Sequence, residues 1–171
     1  MTGGARPDGE RDAAIERIPV PVAQRIRGLI DDLKAIELLL SEVSFDDYKG
    51  ALHSGDSIKL VRTAYPLERA FEIASNYLLE LVGLALKELG IASVDGPTDV
   101  QRSADEKILT QRMADQLADI HRARNALQHD YPDLRASTIY PACQELAKIT
   151  PAFLRAYVRW LRSVGYGKGA T

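Results

Sequence analysis

From Leu67 to Leu89 the chain sets apolar side chains at nearly every angle around a helix. Phe71, Ile73, Ala74, Leu78, Leu79, Leu81, Val82, Leu84 and Leu86 fill the interval. A helix that is apolar all round is buried on several sides. The rest of the chain must therefore supply the elements that cover it. The block reaches back to about residue 57, and Pro66 sits inside it. Proline removes a backbone donor and clashes with the preceding turn, so either the helix kinks there or its main part begins near Pro66. Gly90, a common helix-ending residue, marks its end.

Three further blocks carry helical spacing. Residues 21–43 align Val22, Ile26, Leu29, Ile30, Leu33, Ile36 and Leu40 on one stripe, with Pro21 suited to a first turn. Residues 104–130 align Leu109, Met113, Leu117, Ile120 and Leu127, and end because Pro132 disfavours helical geometry at Tyr131. Residues 135–163 contain Pro141 and Pro151, which predicts a kinked or divided helix. The stretches SFDDYKGALHSGDS and IASVDGPTDVQRSAD read as polar connections. No strand-like alternation competes and no internal repeat is visible. The spacing predicts an all-α protein, an up-and-down bundle of four main helices with room for a short extra one.

At 171 residues there is enough chain for one domain with a real core. Residues 1–12 read as a disordered tail and 165–171 as a flexible one, around a single helical domain over 13–164. Lys+Arg 22 against Asp+Glu 24 leaves a net charge of -2, so a nucleic-acid role needs a local basic cleft to overcome the overall field. The single cysteine, Cys143, excludes an intrachain disulfide and reads as a buried small residue. The opening MTGGARPDGERD lacks the apolar core of a signal peptide, and no segment is long and apolar enough to span a bilayer. The expected place of action is a reducing cytoplasm.

The stretch RNALQHDYP, residues 124–132, puts an arginine, a histidine and a tyrosine near a helix exit. Arg124 falls inside the apolar stripe of its helix, whereas Asn125 and His129, four apart, share a neighbouring face with Arg122 close to it. On an ideal helix Arg124 and His129 lie roughly 140° apart and flank a groove. A charge on an apolar stripe is costly unless it is paired or faces a wet cleft. Arg124 therefore snorkels, pairs with an acidic residue such as Glu80, or serves a site. His129 alone is compatible with a helix cap, and Tyr131 with packing along the stripe. Asn76 and Glu80, four apart on the apolar helix, are candidates for lining a cleft and orienting Arg124. His121 and Arg122 are candidates for substrate contacts beside a solvated-edge role. Asp130 and Asp133 make no metal site on their own.

RNALQHDY resembles the Arg, four residues, His, one residue, Tyr signature of the HEPN superfamily, specifically the HepT-like toxins of HepT/MntA toxin–antitoxin pairs. YPLERAFEIASNYLLELVGLALKELG and FLRAYVRWL extend the resemblance over approximately residues 45–163. It implies a four- or five-helix bundle that homodimerises, and an endoribonuclease that needs no metal or other cofactor and builds its cleft from both protomers. Arg124 and His129 match the catalytic pair and Asn125 the polar residue after the arginine. Tyr131 matches the tyrosine that an MntA-like antitoxin nucleotidyltransferase adenylylates to silence the toxin. Gln128 and Pro132 depart from the pattern, the first where a small or apolar residue is frequent and the second directly after the tyrosine. The substrate implied is RNA, with no membrane partner. An alternative of another class is a non-catalytic HEPN bundle that binds a nucleotide or protein as a scaffold for the transferase, which the slightly acidic charge favours. A purely structural bundle fits the periodicity but leaves Arg124 unexplained.

Overall fold

The structure, a computed structural model, describes residues 18–128 and 131–166. Every regular element among them is helical. The main helices are α1 (Val20–Glu42), α2 (Phe45–His53), α3 (Tyr65–Glu88), α4 (Gly96–Asp105), α5 (Gln111–Asn125) and α6 (Pro132–Ser163). None is long and apolar enough to cross a membrane.

Helix α3 is the element the others cover. It packs against α1, α4, α5 and α6, while α1 and α5 each also rest on α6. Leu67, Phe71, Ala74, Leu81, Val82 and Leu86 on α3 are all 0% exposed. Each buried Leu, Val or Phe contributes about 1.5–3 kcal/mol of transfer free energy, so this helix carries much of the driving force. It forms behind a helical turn, Ser57–Lys59, and a π-helical turn, Leu60–Ala64. Pro66 stands in the first turn of α3, where its missing donor is tolerated, and the wider π turn lies directly ahead of it. The main helix thus begins near Pro66. At its other end Gly90 adopts φ +75. Its N–H donates to the Lys87 carbonyl and that of Ile91 to the Leu86 carbonyl, the paired bonds that close a helix through a left-handed glycine.

Helix α1 lies within one residue of the expected span at each end, and Pro21 occupies its first turn. Two stretches expected as connections are helices. Ser44 caps α2 through a reciprocal box with Asp47. Asp95 caps α4 by accepting the Thr98 N–H at 2.8 Å. The expected helix over 104–130 is correspondingly shorter. Lys107 takes φ 57, the Ser103 carbonyl accepts from Ile108 and Leu109, and Thr110 caps α5 afresh. At the other end α5 stops at Asn125 and tightens into a 3-10 turn, Ala126–Gln128.

Pro141 and Pro151 do not divide α6, which continues through both. Each removes a backbone bond, and the burial of Ile139, Tyr140, Cys143, Leu146, Ile149, Phe153 and Tyr157 offsets the loss. Of the expected tails, 1–12 lies outside the described residues, as do 167–171. Gly165 and Tyr166 are described: Gly165 closes α6 at φ +109, and the Tyr166 hydroxyl donates to Glu88 at 2.6 Å.

Candidate active site

The motif occupies the junction between α5 and α6. Arg122 and Arg124 lie in the last turn of α5, where cations complement the negative end of the helix dipole. Tyr131 is the extended residue that caps α6, and Pro132 is the first residue of that helix. Proline biases the residue before it away from helical geometry and suits the first helical position, so YP at 131–132 starts a helix here. The break falls earlier than Tyr131, at Asn125. The ideal-helix angle between Arg124 and His129 does not carry across the 3-10 turn. His129, one of the expected catalytic pair, lies outside the described residues, as does Asp130.

Arg124 is half-buried, and no described residue offers it a hydrogen bond or ion pair. Glu80 does not take it: the Glu80 carboxylate accepts the Nε of Arg25 on α1 at 2.7 Å. Asn76, one turn before Glu80, is half-buried on α3. Arg122 is exposed and pairs with Asp119 on its own helix, so it forms a solvated ridge. His121 packs its ring on α4, with Nδ1 and Cε1 both 3.3 Å from the position a Cβ would take on Gly96. Asn125 is exposed. Tyr131 is 69% exposed, so its phenol stands in solvent and the packed alternative is not the arrangement found.

The start of α6 is fixed by residues that apolar periodicity does not reveal. Glu68, 5% exposed at the head of α3, accepts the Tyr48 hydroxyl at 2.7 Å and the Arg135 guanidinium at 2.6 Å. One carboxylate thereby ties α2, α3 and α6 together, four residues beyond Tyr131. Burial, reinforced by the Glu68 charge, pushes the Tyr48 phenol well above its usual range. The Cys143 thiol is pushed up by burial and then by the same carboxylate, which leaves it an inert core group. Nearer the surface, Asp133 Oδ1 accepts from Lys49 Nζ at 3.0 Å and meets His53 Nε2 at 3.1 Å. Hydrogen bonds from Lys49 and His53 hold the Asp133 carboxyl below the usual carboxylate range.

Lys49 and His53 went unnoticed in the sequence because they fall in a stretch read as a connection. Their four-residue spacing and the Ser44/Asp47 box ahead of them were the available signals. Among the described residues no group of three or more His, Cys, Asp or Glu side chains is placed to hold a metal ion. A cleft of about 460 Å³ is lined by Arg25, Glu80, Leu84 and Ile91 among others and by no residue of the motif.

Compared with models of known families, residues 29–156 match HepT-like, described as ribonuclease HepT-like. No curated protein and no solved structure matches the chain.

Proposed function

The chain belongs to the HepT-like ribonuclease family of the HEPN superfamily, and from that premise we propose that it is the ribonuclease toxin of a toxin–antitoxin pair. In this reading it is a metal-independent endoribonuclease, acting in the cytoplasm, whose four long helices form an up-and-down bundle that pairs with a second copy. An antitoxin nucleotidyltransferase silences it by adenylylating Tyr131. The observation that carries the reading is Arg124. It is half-buried at the end of α5 with no described carboxylate to neutralise it. Its counterpart Arg135 is engaged by Glu68. A guanidinium kept in that state suits a ligand anion, and its planar fork matches two phosphate oxygens.

The chemistry follows from those groups. The 2′-hydroxyl of RNA attacks the adjacent phosphorus, the bond to the 5′-oxygen breaks, and a 2′,3′-cyclic phosphate and a 5′-hydroxyl result. Imidazole has a reference pKa of about 6.5, so His129 suits removal of the 2′-proton near neutrality. Arg124 suits the charge that develops on the phosphorane. A two-fold dimer brings a second Arg124/His129 set to the cleft, which supplies a group to protonate the leaving oxygen. Exposure of Tyr131 supports the regulatory half: an adenylyl group there adds a bulky anion that competes with substrate phosphate for the same cations.

The test is cleavage of total cellular RNA by the purified chain in EDTA, after intact mass has confirmed an unmodified Tyr131. Arg124→Ala and His129→Ala are each expected to lower cleavage by at least about 100-fold while the helical signal persists. Full activity in either variant overturns the assignment. No cleavage by unmodified wild type selects the scaffold reading, which the net charge of -2 favours.

A further inference from the structure

A chain of net charge -2 binds RNA only where cations are gathered locally. At the entrance to the motif junction stand Arg122 and Arg124, the last basic residues of α5. At its exit, α2 brings up two more. Lys49 Nζ and His53 Nε2 reach the same oxygen of Asp133, at 3.0 and 3.1 Å, and Asp133 lies in the first turn of α6 two residues beyond Tyr131.

We propose that Lys49 and His53 form a phosphodiester-binding edge of the candidate active site, seating the RNA backbone beside Tyr131. This inference rests on the ribonuclease reading above. Three features carry it. The two side chains are 45% and 43% exposed, so both remain open to a ligand. Their shared carboxylate is 73% exposed, and ion pairs in such surroundings contribute little, so a phosphate displaces it at small cost. A phosphodiester oxygen takes the same donors in charge-assisted bonds, and the Asp133 they share stands in the first turn of the long helix α6, at its positive end. Asp133 holds the two donors side by side and competes with the phosphate they bind.

The opposing roles of cation and carboxylate supply the test. Binding of a 2′-O-methyl RNA, which lacks the attacking hydroxyl, is followed by fluorescence anisotropy over a range of salt for wild type, Lys49→Ala, His53→Ala and Asp133→Asn. Circular dichroism checks that each variant is folded. Lys49→Ala and His53→Ala are expected to weaken binding about three- to tenfold, and Lys49→Ala to shallow the log–log salt dependence by about 0.7. Asp133→Asn is expected to bind at least as tightly as wild type, although it breaks the same contacts. If all three variants bind alike, the cluster is only a staple between α2 and α6 and the inference is overturned. Cleavage of unmodified RNA is measured in parallel. Wild-type cleavage with KM unmoved by Lys49→Ala and His53→Ala removes the binding edge alone, whereas a wild type that neither binds nor cuts RNA removes the ribonuclease reading and the edge with it.

Discussion

Glu68 is the side chain that most directly fixes where α6 begins, because its two oxygens face two different helices. Removing it takes away the acceptor of both the Tyr48 hydroxyl and the Arg135 Nη2 bond. At about 1.5 kcal/mol for each bond to a charged group, Glu68→Ala is expected to cost about 3 kcal/mol in urea unfolding. Tyr48→Phe keeps the ring and loses one bond to a charged group, an expected cost of about 1.5 kcal/mol. A larger loss from Tyr48→Phe than from Glu68→Ala would place the Tyr48 hydroxyl, not the Glu68 carboxylate, at the centre of the junction. Arg124 is the opposite case. With no described partner to abandon, Arg124→Ala is expected to change stability by less than about 1 kcal/mol in the same experiment. This contrast between two arginines eleven residues apart was only half legible in the sequence. The apolar stripe placed Arg124 at a buried edge, but nothing local says that Arg135 meets Glu68, 67 positions away.

At the scale of elements, α1, α3 and α6 were legible because each buries a wide apolar face against its neighbours. Helices α2 and α4 were not. The first buries only Tyr48, Ala51 and Leu52, and the second Asp99, Val100 and Ser103, too few apolar positions for the eye to catch a period. Such elements depend on their caps. Ser44→Ala is expected to cost about 1 kcal/mol, seen as a lower urea midpoint with unchanged slope. The caps also set the acid limit of the fold. The carboxyls of Asp47 and Asp95 are lowered from 3.8 by hydrogen bonds from Ser44 and Thr98. That of Asp133 is lowered from the same value by Lys49 and His53. A carboxyl whose folded pKa is depressed contributes stability above its unfolded value and loses it as pH falls through the folded one. Thermal stability is therefore expected to drop below about pH 4, and Asp47→Asn to flatten that drop. Asp32 works in the opposite sense, since burial and Asp31 raise its pKa. An identical acid profile in Asp47→Asn would exclude the cap as its source.

For the whole molecule, the buried apolar residues from Val22 on α1 to Leu161 on α6 form one continuous cluster. A single core predicts a single cooperative transition. Trp160, 7% exposed and packed on Tyr157, supplies a built-in probe of it. Its fluorescence and the far-ultraviolet signal are expected to change at one midpoint, and separated midpoints would reveal independently melting parts. Helix α6, 32 residues long, extends about 48 Å from Tyr131 at its head to the far end of this core. The chain's one cysteine, Cys143, is 0% exposed on that same helix. A cysteine introduced at Val164, 39% exposed just past the last turn, would then be the sole thiol open to maleimide. The molecule could be anchored to a sensor surface or fitted with a dye by one end, leaving the motif junction at the other facing the solution.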